Sequence, residues 1–158
     1  MPKRLRSVGL EFVETAPVRL VFSRRAGSAP EALFAQLSDV PSWPEWFGGV
    51  SEARPLAGGE RRVIGLRGGA RFLETVVTEP PARYAYRIDE TNVPGVRAMW
   101  EDWRLEPDGD GTLVTYTMAV DGHPVCRAVV RLLGPGLGRT FRAAVRSLDE
   151  RIAAAPGA

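Results

Sequence analysis

The chain holds one cysteine, Cys126, and one histidine, His123. A single thiol excludes an internal disulfide. Beside Val125, Ala128 and Val129 it reads as a small buried hydrophobe rather than a nucleophile. The missing disulfide framework fits a reducing compartment. Zinc sites draw their ligands from several His, Cys or carboxylate side chains. One imidazole and one isolated thiol supply no such set, so no metal is expected. No nucleophile-elbow pattern is present, and no Ser-His-Asp triad is expected. His123 falls in Asp121-Gly122-His123-Pro124, a turn before the last helix, where a solvated or capping role suits it.

Other absences narrow the class further. No run reaches the roughly 20 apolar residues of a membrane span, so no stable membrane insertion is expected. The basic start Met1-Pro2-Lys3-Arg4 leads to Glu11 and Glu14 instead of an apolar core, so no signal peptide is expected and the location reads as cytoplasmic. Lys and Arg number 21 against 19 Asp and Glu, a net charge of +2 with no basic tail. That balance does not call for a nucleic-acid partner. The stretch Gly134-Pro135-Gly136-Leu137-Gly138-Arg139-Thr140 is glycine-rich like a phosphate loop, but no strand precedes it and the lysine is missing. No cofactor is expected. The stretch reads instead as a break in a helix, and as a hinge by which that helix opens.

What is present is the composition of one globular domain: 158 residues, 44% hydrophobic and 25% charged. Residues 1–17 form an N-terminal extension, and 18–155 the domain. Val18, Leu20 and Phe22 alternate with Arg19, Val21 and Ser23, which marks a strand. Ser28-Ala29-Pro30-Glu31 and Ser42-Trp43-Pro44-Glu45 each look like a capping box opening a short helix. Alternating runs follow at roughly 50–56, 61–67, 70–78, 83–90, 96–106 and 112–120, with glycine and proline turns between them. Leu137, Phe141, Val145, Leu148 and Ile152 then make the apolar stripe of a C-terminal helix. The order predicts an α+β domain, a seven-stranded antiparallel sheet curved around one long helix, with two short helices after the first strand. Such a sheet cannot pack flat on one helix, and the curvature leaves a space between them.

Several phrases carry a family resemblance. They are Ala29-Pro30-Glu31-Ala32-Leu33-Phe34 with Trp43-Pro44-Glu45-Trp46-Phe47, Glu79-Pro80-Pro81-Ala82-Arg83-Tyr84, Trp103-Arg104-Leu105-Glu106-Pro107, and Leu148-Asp149-Glu150-Arg151-Ile152. In this order the chain resembles the START/polyketide-cyclase superfamily (SRPBCC) over residues 18–153, near its bacterial stand-alone cyclase/dehydrase-like group. The resemblance implies the helix-grip fold and an internal hydrophobic cavity. It implies no single reaction, because fold is a weak guide to function.

Alternation along the strands points Tyr84, Tyr86 and Ile88 one way, and likewise Met99, Glu101, Trp103 and Leu105, and Val114, Tyr116, Met118 and Val120. Trp46, Phe47, Phe72, Tyr84, Tyr86, Met99, Trp103, Tyr116, Met118, Leu137 and Phe141 are the expected cavity lining. Glu74 and Glu101 lie among apolar neighbours on these faces. Each is an acid/base or ligand-orienting group, with Tyr116 as a further candidate, or half of an ion pair with Arg71, Arg87, Arg97 or Arg104, or simply exposed, and whether either faces the cavity stays open. The arginines of the last helix, with Val129, Leu132 and Leu133, are either a solvated face or a surface for an anionic membrane. Three readings stay open: a module binding a small apolar molecule (lipid, polyketide or other ring-containing compound), a cyclase/dehydratase-type enzyme, and a protein-interaction module. The oligomeric state is not legible.

Overall fold

The computed structural model describes residues 1–155. Its elements run β1 (Lys3–Arg4), α1 (Phe12–Thr15), β2 (Val18–Ala26), α2 (Pro30–Ser38), a 3-10 turn (Val40–Ser42), α3 (Trp43–Trp46), β3 (Val50–Pro55), β4 (Arg61–Leu66), β5 (Arg71–Glu79), β6 (Arg83–Thr91), β7 (Val96–Asp108), β8 (Gly111–Gly122) and α4 (Pro124–Ala154). The expected strands are all present. They form one antiparallel sheet in the order β2-β8-β7-β6-β5-β4-β3, with short β1 added beside β6. Glycines set the hairpin turns: Gly68 and Gly69 sit at φ 98° and 101°, a region costly for other residues.

The inner face of the sheet carries the main core. Trp43, Trp103, Tyr86, Ile88, Leu105, Phe141, Val145 and Leu148 are all buried there between sheet and helices. Each such side chain contributes about 1.5–3 kcal/mol by leaving water. A second, smaller core lies on the outer face. Phe12, Val13 and Ala16 of the N-terminal segment cover Ala85, Ala98, Trp100 and Ala119. Alanines at these positions leave room for the short helix to approach.

The N-terminal segment also ties two strands together. The pairing of β6 with β7 runs from Arg83↔Arg104 to Arg87↔Trp100. Past that point the Leu5 amide donates to Asp89 O at 2.8 Å and the Arg6 amide to Arg97 O at 2.8 Å. A bulge in β7 between Val96 and Ala98 changes the alternation. Val96 therefore joins the inner core while Ala98 joins the outer one.

Two local expectations are corrected. First, α4 is continuous from Pro124 to Ala154 with Pro135 inside it, so the glycine-rich stretch is not a break. The glycines serve packing. A Cβ on Gly138 would stand 3.0 Å from the Phe22 ring, and one on Gly134 would stand 3.5 Å from Leu20. They let the helix lie close on β2. Second, neither capping box forms. The Ser28 hydroxyl donates to Asp149 at 2.7 Å, and the Gly27 and Ser28 amides donate to the same carboxylate. Asp149 thus ties the β2–α2 turn to α4. The Ser42 hydroxyl donates to Asp39 O and accepts from Trp46 Nε1 at 3.2 Å. His123 does cap α4, its Nδ1 accepting from the Val125 amide at 3.2 Å.

Candidate functional site

A cavity opens between the N-terminal half of α4 and the sheet. Its outer chamber is about 470 Å³. Val93–Val96 form one side, Val125, Cys126, Val129, Val130 and Leu133 of α4 another, and Met99, Met118 and Val120 the floor. Phe72, Met99 and Met118 also line a narrower inner part of about 100 Å³, which runs under Leu137 and Phe141. Chambers of a few hundred Å³ suit ring-sized ligands, so the outer part is the larger binding volume. Cys126 is half-buried on the chamber wall rather than in the core, and burial raises its thiol pKa.

The inner end is polar. Arg62, Ile64 and Leu66 share a face of β4 because residues alternate along a strand. That places a guanidinium inside, where Arg62 is 1% exposed. Its Nε donates to Glu74 Oε1 at 2.7 Å across the β4–β5 pair, and Nη1 donates to the Tyr84 hydroxyl at 3.3 Å. The guanidinium lies 4.1 Å from the Trp43 ring centroid and 4.2 Å from that of Tyr86. Cation–π contacts reach about 2 kcal/mol when desolvated. Nη2 is buried with no hydrogen-bond partner among the described residues. A buried donor left open costs free energy, about 1–3 kcal/mol.

Two strands further on, the Tyr116 hydroxyl donates to Glu101 Oε1. Arg62, Glu74, Tyr86, Glu101 and Tyr116 thus make a polar row crossing β4 to β8 at the cavity end. Burial pushes Glu101 up to about 8, helped by the Glu74 charge and opposed by Arg62. Its carboxyl is therefore protonated at neutral pH and holds an O–H donor. Burial also raises Glu74, against the pull of Arg62. Burial alone would lower Arg62, but Glu74 and the two tyrosines outweigh it and the guanidinium stays charged. Tyr86 lies well above its ordinary value, again from burial first.

Of the expected lining residues, Phe47, Phe72, Tyr86, Met99, Tyr116, Met118, Leu137 and Phe141 line the cavity. Trp46, Tyr84 and Trp103 stand behind that wall instead. They form an aromatic core with Trp43, in which Trp103 Nε1 donates to the Tyr86 hydroxyl at 3.2 Å. Both candidate carboxylates do face inward. The partner of Glu74 is none of the arginines expected. Arg71 pairs with Glu52, Arg87 with Asp89, and Arg104 approaches Glu106 at 4.0 Å. Arg62 was missed, although its alternation with Ile64 and Leu66 was there to read.

A sheet gripping a C-terminal helix around an apolar cavity with a polar end defines a helix-grip domain. Residues 17–153 match the family described as polyketide cyclase / dehydrase and lipid transport, and the chain belongs to it. An uncharacterised protein of Mycobacterium tuberculosis is 32% identical, over 94% of this chain and 95% of that protein. Among solved structures, the Zhui aromatase/cyclase from Streptomyces sp. R1128 is similar with TM-score 0.74 at 15% identity, over 89% of this chain and 99% of that one. A START superfamily protein from Mycobacterium smegmatis is similar with TM-score 0.68 at 14% identity, over 85% and 97%. At these identities the two structures speak to the fold. Among the described residues no group of three His, Cys, Asp or Glu side chains is placed to hold a metal ion, and no helix is long and apolar enough to cross a membrane.

Proposed function

We infer that the chain binds one apolar small molecule, with rings or chain in the outer chamber and an oxygen acceptor at the inner end. The observation that carries this reading is Arg62, whose Nη2 is buried without a partner at the end of an apolar cavity. A carbonyl or hydroxyl oxygen would satisfy that donor, and a hydrocarbon would not. The O–H of a neutral Glu101 is a second donor for the same ligand end. The family supports an apolar ligand, and the lone cysteine suits a cytoplasmic setting. Native mass spectrometry of the protein from its own cells tests this. The expected result is a 1:1 complex with an oxygen-bearing apolar molecule, lost in Arg62→Met. Empty protein alone would count against it.

A specific observation favours a second reading, a cyclase/dehydratase-type enzyme. Glu101 is an acid poised to titrate near neutral pH beside Tyr116. Such a group can protonate a carbonyl oxygen, while the cavity holds a flexible chain folded. Glu101→Gln should then keep ligand binding and abolish turnover of a poly-β-ketone. Unchanged turnover removes Glu101 from the chemistry.

A further inference from the structure

The N-terminal half of α4 carries apolar side chains that the fold leaves open. Leu132 is 80% exposed, Val125 64%, Leu133 54% and Val129 46%. Val125, Val129 and Leu133 stand on the rim of the outer chamber. Between Pro124 and Leu148 the helix holds Arg127, Arg131, Arg139, Arg142 and Arg146, and no Asp or Glu. None of these arginines is in an ion pair among the described residues.

Helix geometry orders these groups. At about 100° per residue, Val125, Val129 and Leu132 fall within about 60° of one another, opposite the buried side of Phe141 and Val145. Leu133 and Cys126 lie toward the chamber, while Arg131, Arg139, Arg142 and Arg146 lie to the other side. Turning about the helix, one meets the cavity mouth, then an open apolar strip, then a row of cations.

We propose that this face of α4 docks the cavity mouth on an anionic lipid bilayer. The strip is convex and carried by one helix, so it suits a yielding surface with an apolar interior. Leu132 and its neighbours enter the boundary between headgroups and acyl chains, and the arginines meet lipid phosphates. The helix lies on the membrane and does not cross it. An apolar molecule then passes between the acyl layer and the outer chamber without entering water. That transfer role rests on the ligand reading above, whereas the docking itself does not.

Flotation with vesicles tests the docking. The protein is expected to float with phosphatidylcholine vesicles containing phosphatidylglycerol, and much less with phosphatidylcholine alone or in high salt. Leu132→Asp and Arg139→Glu, both at exposed positions, should each lower the partition coefficient roughly fivefold or more. Circular dichroism checks that both variants are folded. Equal partition into the two vesicle types, no flotation, or unchanged partition of both variants would overturn the proposal. So would a dimer in light scattering that Leu132→Asp dissolves, with no vesicle binding, because the face would then join two copies. Uptake of 2-acetylnaphthalene without vesicles reports the ligand reading separately and should be unchanged in Leu132→Asp.

Discussion

At the scale of single residues, Arg62 and Glu74 set the character of the cavity end. A buried ion pair gains little net stability, because desolvation offsets the attraction. Breaking it is another matter. Arg62→Met leaves Glu74 buried without its cation and should cost about 3–5 kcal/mol in urea denaturation. The double variant Arg62→Met with Glu74→Met should recover most of that loss. Glu101 gives a prediction about pH. Its folded pKa stands near 8, above the ordinary carboxyl value of 4.5. Between those values the folded state binds a proton that the unfolded state has released. Stability should therefore fall as pH rises across that window, by up to about 1.4 kcal/mol per pH unit, and level off above it. Glu101→Gln should flatten that slope and be the more stable protein at the alkaline end. Glu74 shifts the same way and adds to the wild-type slope. Alternation set both carboxylates among apolar neighbours but left open whether they face the cavity, which the structure decides. Their partners were not, because which cation reaches a carboxylate depends on pairing between strands. Arg62 stands opposite Glu74 only through the β4–β5 register.

At the scale of elements, the strands were legible to within about two residues at their ends, because glycine turns separate runs of clear alternation. Helix α4 shows where local reading stops. Glycines and a proline in sequence lower helix propensity, and read locally they argue for a break. Packing against β2 overrides that preference, since a Cβ on Gly138 would crowd the Phe22 ring at 3.0 Å. The two kinds of glycine should separate on substitution. A Cβ on Gly136 meets only Arg139 at 3.9 Å, so Gly136→Ala should stabilise by up to about 1 kcal/mol. Gly138→Ala forces a ring contact at 3.0 Å and should be destabilising, by about 1 kcal/mol or more. Thermal melts of the two variants decide this. The capping serines failed for a related reason. Asp149, far along the chain, binds the Ser28 hydroxyl, and the Ser42 hydroxyl turns to Asp39 and Trp46.

At the scale of the whole molecule, the sheet grips α4 and leaves a cavity that is apolar at its mouth and polar at its end. The apolar wall was largely readable, and the polar end only in part. The bulge at Val96–Ala98 and the seating of residues 3–16 on the sheet came from tertiary pairing that one sequence does not display. The central claim is that this cavity takes an apolar molecule bearing an oxygen. Met99 and Met118 line both chambers, and Met1, the remaining methionine, is fully exposed. A methyl-labelled methionine spectrum titrated with 2-acetylnaphthalene, a fused-ring ketone, therefore tests it directly. The Met99 and Met118 methyl signals are expected to shift together and saturate at one equivalent, while Met1 stays fixed. Unmoved Met99 and Met118 signals, or shifts of all three without saturation, would contradict it.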